Sequence, residues 1–126
     1  MQTVSPLVPT MPRPNTADRS ASGLPPGTLE MLILRTLTVG SLHGYAIAQH
    51  IAKLSDGVFR VEQGSLYPAL ERVLNKGWAT VRWSETPTKR QARYYSITPS
   101  GRKQLKEKIA DYERTSTAIA RVMATR

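Results

Sequence analysis

The sequence predicts a mainly α-helical protein with a small β-hairpin, followed by a long C-terminal helix. Apolar residues recur every three to four positions in four segments, which is the period of a helix with one buried face. Between the third and fourth of these segments the period changes to two, as in a strand that is buried on one side. A length of 126 residues leaves room for a single domain with few additions.

A proline-rich segment precedes the first predicted helix. Six of the nine prolines lie in the first 26 residues, among Thr, Ser, Asn and Gly. This composition supports neither a helical face nor the alternation of a strand. We therefore expect residues 1–23 to form a disordered tail.

The first two helices follow the tail. The first is predicted from an N-cap at Thr28 to about Thr38, and the second from near His43 to about Ser55. Residues 58–61 are then expected to be extended. The predicted buried positions are Leu29, Leu32, Ile33, Thr36 and Leu37 in the first helix and Ile47, Ala48, Ile51 and Leu54 in the second.

The third helix has the strongest pattern. Ser65 is its predicted N-cap, Pro68 falls at the third helical position, and Lys76 and Gly77 end it. Its outer face carries Pro68, Glu71, Arg72 and Asn75. Its predicted buried positions are Leu66, Ala69, Leu70, Val73 and Leu74.

A basic hairpin comes next. Ala79, Val81 and Trp83 alternate with polar residues in the first strand, residues 93–97 form the second, and residues 84–92 form a polar loop. Residues 82–93 carry four cations and one anion. We expect the tryptophans, Trp78 and Trp83, to pack within the hairpin.

The last helix is predicted over residues 102–125 and has apolar positions at alternating spacings of four and three. Its stripe consists of Leu105, Ile109, Tyr112, Ser116, Ile119 and Met123. A small domain cannot bury so long a stripe, so the helix either folds back on the first helix or pairs with a second copy. We expect pairing, and therefore a homodimer.

Three helices followed by a basic hairpin is the element order of a winged helix-turn-helix domain, here residues 24–101, with residues 102–126 as the dimerisation helix. In this fold the third helix enters the DNA major groove and the hairpin, or wing, reaches the adjacent backbone. The predicted DNA contacts on the third helix are Gln63, Gly64, Ser65, Tyr67 and Arg72, and those on the wing are Lys89, Arg90 and Arg93.

Amino-acid composition favours one class of partner and excludes several kinds of site. Lys and Arg number 18 against 9 Asp and Glu, a formal charge of +9, which favours a polyanionic partner. The lack of cysteine excludes disulfides and thiolate zinc sites, and with two histidines we expect neither metal nor cofactor. We expect no enzyme, no membrane association and a cytoplasmic location. For a non-specific architectural or RNA-binding protein this net charge alone would suffice. A third alternative is an interaction module or ligand sensor whose DNA role is secondary.

The sequence resembles the PadR-like transcriptional regulators. The resemblance rests on four blocks in the family's order, with Gly101 after the last: residues 27–30 (GTLE), 43–47 (HGYAI), 64–70 (GSLYPAL) and 92–98 (ARYYSIT). It implies repression by a dimer from a palindromic DNA operator, often relieved by a small-molecule effector. It further implies DNA contacts from Tyr45, Ser65, Tyr67 and the wing cations. Trp78, Trp83 and Tyr112 are aromatic candidates for effector binding.

Overall fold

The structure is a computed structural model that describes residues 24–25 and 27–125. The tail predicted over residues 1–23 lies outside them. Four helices and three short strands make up the described chain. In chain order these are α1 (Thr28–Leu37), β1 (Leu42–His43), α2 (Gly44–Leu54), α3 (Gln63–Asn75), β2 (Ala79–Glu85), β3 (Gln91–Ile97) and α4 (Pro99–Ala124).

The three strands form one antiparallel sheet in the order β1-β3-β2. The wing strands β2 and β3 pair over seven positions, from Ala79 opposite Ile97 to Glu85 opposite Gln91. Strand β1 adds a two-residue third strand against Tyr94 and Tyr95. Strand β1 was not predicted, because two residues are too few to display an alternation. The hairpin loop is also shorter than predicted, residues 86–90, because pairing continues to Gln91.

The hydrophobic core lies between the helices and the inner face of the sheet. Its buried residues are Leu29, Ile33, Leu34, Leu37, Ile47, Ile51, Leu66, Ala69, Leu70, Val73, Ala79, Tyr95 and Leu105. Most of the predicted helical stripes are therefore confirmed. Leu54 is not part of the core, since it ends α2 and is 74% exposed. Residues 58–61 form no strand, although Phe59 and Val61 pack against the core.

Helix α3 begins two residues before the predicted N-cap at Ser65. The carbonyl of Glu62 accepts hydrogen bonds from the N–H groups of Ser65 (3.0 Å) and Leu66 (2.9 Å), so Glu62 is the N-cap residue. Pro68 is consequently the sixth helical residue, on the exposed side of the helix. The N-cap of α1 likewise lies one residue early, at Gly27, whose φ of 84° suits glycine.

The predicted end of α3 is confirmed. Gly77 adopts a φ of 75°, which glycine tolerates without strain, and its N–H donates to Leu74 O at 2.9 Å. The next N–H, that of Trp78, donates to Val73 O at 3.0 Å. These two bonds are the usual pattern of a helix that ends in a left-handed glycine. The end of α3 is therefore held in one conformation.

Helix α4 begins at Pro99, three residues before the predicted start, with Thr98 as its N-cap. Its first half packs against the core through Leu105, which is 5% exposed, and through the half-buried Ile109. Leu105 was predicted to lie in a dimer seam. That prediction is wrong, because α4 first folds back along α1 and buries Leu105 within its own chain.

The second half of α4 extends from the domain with its apolar side chains exposed. They are Tyr112, Ile119, Val122 and Met123, each more than half exposed. Among the residues that the structure describes, no helix combines the length and apolar composition needed to cross a membrane.

Candidate nucleic-acid interface

The start of α3 presents the small and polar side chains that the sequence singled out. Gln63 and Gly64 are exposed, Ser65 is half-buried, and Tyr67 is 42% exposed. The apolar face of the same helix is fully buried, with Leu66 and its neighbours in the core. A rigid underside therefore aims these residues outward, as a recognition helix requires.

Tyr67 lies against the first residue of α2. A methyl group at Gly44 would stand 2.8 Å from the Tyr67 hydroxyl oxygen and 3.0 Å from its ring carbon Cε1, so only glycine permits this approach. The adjacent Tyr45 is 66% exposed. His43 caps α2, its Nδ1 accepting from the N–H of Ala46 at 3.3 Å. The two tyrosines therefore flank the N-terminus of α2, an end that attracts phosphate oxygens.

The tip of the wing is a tight turn with its cations exposed. Thr86 O accepts from the N–H of Lys89 at 2.8 Å, while the Thr86 N–H donates to Arg90 O at 2.8 Å. Pro87 takes the second position of the turn, and Lys89 has a φ of 64°. Within residues 24–25 and 27–125, the ion pairs found include neither Lys89 nor Arg90. Both charges therefore face solvent and are available to a phosphate backbone.

A groove of about 860 Å³ separates the wing from the N-terminal turns of α2. Its lining includes Tyr45, Gln49, Tyr67, Trp83, Arg90 and Arg93. Trp83 is 65% exposed, so the expectation that it packs within the hairpin is wrong. Trp83 lies on the same face of β2 as the buried Ala79, but at the end of the strand where this face extends past the core and borders the groove. Trp78, by contrast, precedes β2 and is half-buried against the core.

The outer face of α3 is almost neutral, because its arginine is engaged. Arg72 Nε donates to Glu30 Oε2 of α1 at 2.7 Å, and the Glu30 side chain is only 8% exposed. Burial raises the pKa of Glu30, but the hydrogen bond from Arg72, a backbone hydrogen bond and the charges of Arg72 and Lys108 together hold it below its ordinary value. Arg72 thus lies in an ion pair that stabilises the packing of α1 on α3.

A second ion pair connects the wing to α3. Arg93 Nη1 donates to Glu71 Oε2 at 3.2 Å, and its guanidinium lies 5.7 Å from the centre of the Tyr95 ring. Tyr95 is 1% exposed and burial raises the pKa of its phenol. Of the predicted DNA contacts, Arg72 and Arg93 are therefore paired. Tyr45, Tyr67, Arg90 and Arg93 line the groove, and Lys89 is exposed at the wing tip beside it.

The DNA contacts predicted from the sequence did not include three residues of this surface. Gln49 and Trp83 line the groove, and Glu71 holds Arg93. Trp83 could have been suspected from its place in a strand next to the basic loop. Gln49 and the Glu71 pairing depend on how the wing folds against the helices, for which the sequence carries no local signal.

Known proteins share this fold and about a quarter of the aligned residues. The chain matches the Transcriptional regulator PadR-like family over residues 33–107. A PadR family regulator from Eggerthella lenta superposes with a TM-score of 0.69 at 26% identity, covering 89% of this chain and 96% of that one. A PadR-like regulator from Bacillus cereus gives 0.68 at 26% identity, covering 79% and 95%.

One solved relative contains nucleic acid. Bacillus subtilis PadR in complex with operator DNA superposes with a TM-score of 0.58 at 27% identity, covering 65% of this chain and 47% of that one. The curated Bacillus subtilis protein, a negative transcriptional regulator, is 29% identical over 77 residues, which are 61% of this chain and 42% of its own length. The match to the family spans more than half of the sequence and covers α2, α3 and the wing. The chain therefore belongs to the PadR-like family of transcriptional regulators.

Proposed function

We propose that this regulator is a sequence-specific repressor that binds a palindromic DNA operator as a homodimer. The name of the Bacillus subtilis relative, a negative regulator, and its solved complex with operator DNA support the proposal. Such a protein acts on chromosomal DNA, so the proposal locates it in the cytoplasm.

The observation that carries the proposal is the distribution of charge across the DNA-facing surface. Lys89 and Arg90 at the wing tip are exposed, whereas Arg72 on the recognition helix is neutralised by Glu30. Phosphate contacts supply affinity and register, and contacts to base edges supply specificity. A basic wing beside a near-neutral helix divides the work in this way, whereas a binder that depends on charge alone would present cations on both.

Homodimerisation is proposed from the exposed half of α4. Tyr112, Ile119, Val122 and Met123 form an apolar surface that the domain itself leaves uncovered. A second copy of the same helix would cover this surface with its own equivalent, which is the commonest symmetry of protein dimers. A two-fold pair would present recognition helices about 34 Å apart, one turn of DNA.

The proposed site for a small-molecule effector is a cleft beside the dimer surface. A cleft of about 220 Å³ lies between α1 and α4, next to the exposed half of α4, and Met31 and Tyr112 are among its lining residues. A small molecule held there would contact the helix through which the dimer is proposed to form. Trp78 and Trp83 do not line this cleft within the part of the chain that the structure describes.

The test is selection of binding sites from a random duplex pool, followed by titration of the selected duplex. We expect an enriched inverted repeat, bound far more tightly than random duplex at the same salt concentration. The logarithm of affinity falls by about 0.9 per tenfold rise in salt for each phosphate neutralised, so the salt series separates backbone contacts from base contacts. Equal affinity for selected and random duplex would refute the proposal in favour of a non-specific nucleic-acid-binding protein.

A further inference from the structure

The end of the recognition helix α3 and the start of the long helix α4 meet at one junction, through hydrogen bonds and main-chain contacts. We propose that Thr98 is a positioning residue that locks the angle between these two helices and thereby sets the separation of the two operator half-sites. This inference rests on the proposed dimer, because it concerns how one half of that dimer is oriented relative to the other.

Thr98 makes hydrogen bonds to both helix ends at once. Its hydroxyl donates to the carbonyl of Gly77, which ends α3, at 2.7 Å. The same oxygen accepts from the N–H of Gly101 in the first turn of α4 at 3.0 Å. Its backbone N–H donates to Trp78 O at 3.0 Å. One residue therefore caps α4 and binds the terminal loop of α3.

Gly101 allows the first turn of α4 to rest directly on this loop. A methyl group at Gly101 would lie 2.0 Å from Trp78 O and 2.8 Å from Ile97 Cγ1. Since the nearest atom belongs to the backbone, no side-chain movement could relieve that contact. The two segments are thus in van der Waals contact through their main chains, which leaves little freedom for the helices to rotate against each other.

The indole of Trp78 adds a third contact between the two helices. Lys76 Nζ, from the end of α3, lies 4.7 Å from the ring centre, and Lys108 Nζ, from α4, lies 5.3 Å away. Both distances are within the range of cation–π attraction. The same side chain therefore interacts with charges from the recognition helix and from the helix proposed to pair.

Small rotations at this junction would have large effects at the proposed dimer surface. Ile119 lies 20 residues beyond Pro99, a distance of about 30 Å at 1.5 Å per helical residue. A rotation of about 10° would displace it by roughly 5 Å, more than the ~3.4 Å between successive base pairs. A junction that holds the angle is therefore needed if the dimer is to distinguish operators that differ by one base pair in spacing.

The test measures the separation of the two recognition helices in the DNA-free dimer. The chain has no cysteine, so an Asn75→Cys substitution on the exposed face of α3 places a single spin label on each copy. Thr98→Ala removes both hydroxyl hydrogen bonds, and Thr98→Ser keeps them as the matched control. We expect the label–label distance distribution to broaden by about 5 Å for Thr98→Ala and to stay unchanged for Thr98→Ser.

A second measurement uses DNA. Two inverted copies of the selected half-site are placed at spacings one base pair shorter and longer than the selected one. Wild type and Thr98→Ser are expected to lose affinity at both altered spacings, whereas Thr98→Ala should bind all three alike. If Thr98→Ala does not fold, Lys108→Gln, which removes the charge next to the Trp78 ring, is measured in the same way and should broaden the distribution.

The outcomes separate the two proposals. The role of the junction would be overturned if Thr98→Ala kept the narrow distance distribution and the spacing preference of wild type. The same result in Lys108→Gln would overturn it if Thr98→Ala does not fold. Either result leaves the repressor proposal intact. A wild-type protein that sediments as a monomer would overturn the dimer, and the junction's role in half-site spacing with it.

Discussion

Replacing Arg72 with alanine tests whether this residue supports the fold or contacts DNA. In the structure its guanidinium donates to Glu30 Oε2 at 2.7 Å. The substitution leaves the Glu30 carboxylate, whose side chain is 8% exposed, without its partner. We therefore expect Arg72→Ala to destabilise the protein and to leave its DNA contacts in place.

The magnitude follows from the environment of the pair. Breaking a fully buried ion pair costs about 3–5 kcal/mol, because the remaining charge is desolvated. Arg72 is itself 50% exposed, so water reaches the vacated position and the cost falls to about 2 kcal/mol. For a domain of this size, such a loss lowers the Tm by about 10 °C.

The stabilisation that the Arg72–Glu30 pair provides decreases as the pH is lowered. The pKa of Glu30 is lowered in the folded protein relative to its ordinary value of 4.5, so the pair stabilises the fold above that value. This contribution is lost as the pH falls through the lowered pKa and the carboxyl becomes protonated. The difference in unfolding free energy between wild type and Arg72→Ala is therefore largest near pH 7 and shrinks below pH 4.5.

Two assays check this reasoning. Urea unfolding of wild type, Arg72→Ala, Glu30→Gln and the double variant gives the coupling energy of the pair. Titration of operator duplex over a salt series gives the number of phosphates contacted. A change in unfolding free energy below about 0.5 kcal/mol would refute the structural role of Arg72. A salt slope reduced by about 0.9 would show instead that Arg72 contacts the phosphate backbone.

Three other predictions concern the DNA-facing surface and α4. The double variant Lys89→Ala/Arg90→Ala should weaken binding to all duplexes and reduce the salt slope by about 1.8, since two exposed wing cations are removed. Glu71→Gln should release Arg93 from its 3.2 Å ion pair, so that binding to random duplex strengthens and its salt slope steepens by about 0.9. Ile119→Asp should give monomers in sedimentation, because it places a charge in the exposed apolar surface of α4.

Matched controls distinguish these effects from general changes in charge. Lys103→Ala/Lys106→Ala removes two exposed cations of α4 and should leave the salt slope unchanged. Thr117→Asp, on the opposite side of α4 from Ile119, should remain a dimer. An unaltered salt slope in the wing variant would contradict the wing contact. Unchanged binding of Glu71→Gln to random duplex would contradict its restraint of Arg93, and an unaltered mass of Ile119→Asp would contradict dimerisation through α4.

Most of the architecture could be predicted from the sequence, because local patterns encode it. Helical periodicity located all four helices, the change of period located the wing, and Gly77 marked the end of α3. Each of these signals acts over a few residues: the spacing of apolar side chains selects the secondary structure, and glycine tolerates the left-handed conformation that ends a helix. The family resemblance rests on the same local blocks.

Which charges and apolar residues remain available to a partner depends on how the helices and the wing pack together. Arg72 and Glu30 are 42 residues apart in sequence, and their pairing depends on how α1 packs against α3. Leu105 and Ile119 belong to one heptad pattern, yet the domain buries the first and leaves the second exposed. Periodicity specifies that a helix has an apolar face. Which neighbour covers that face depends on contacts between segments distant in the chain, which no local pattern contains.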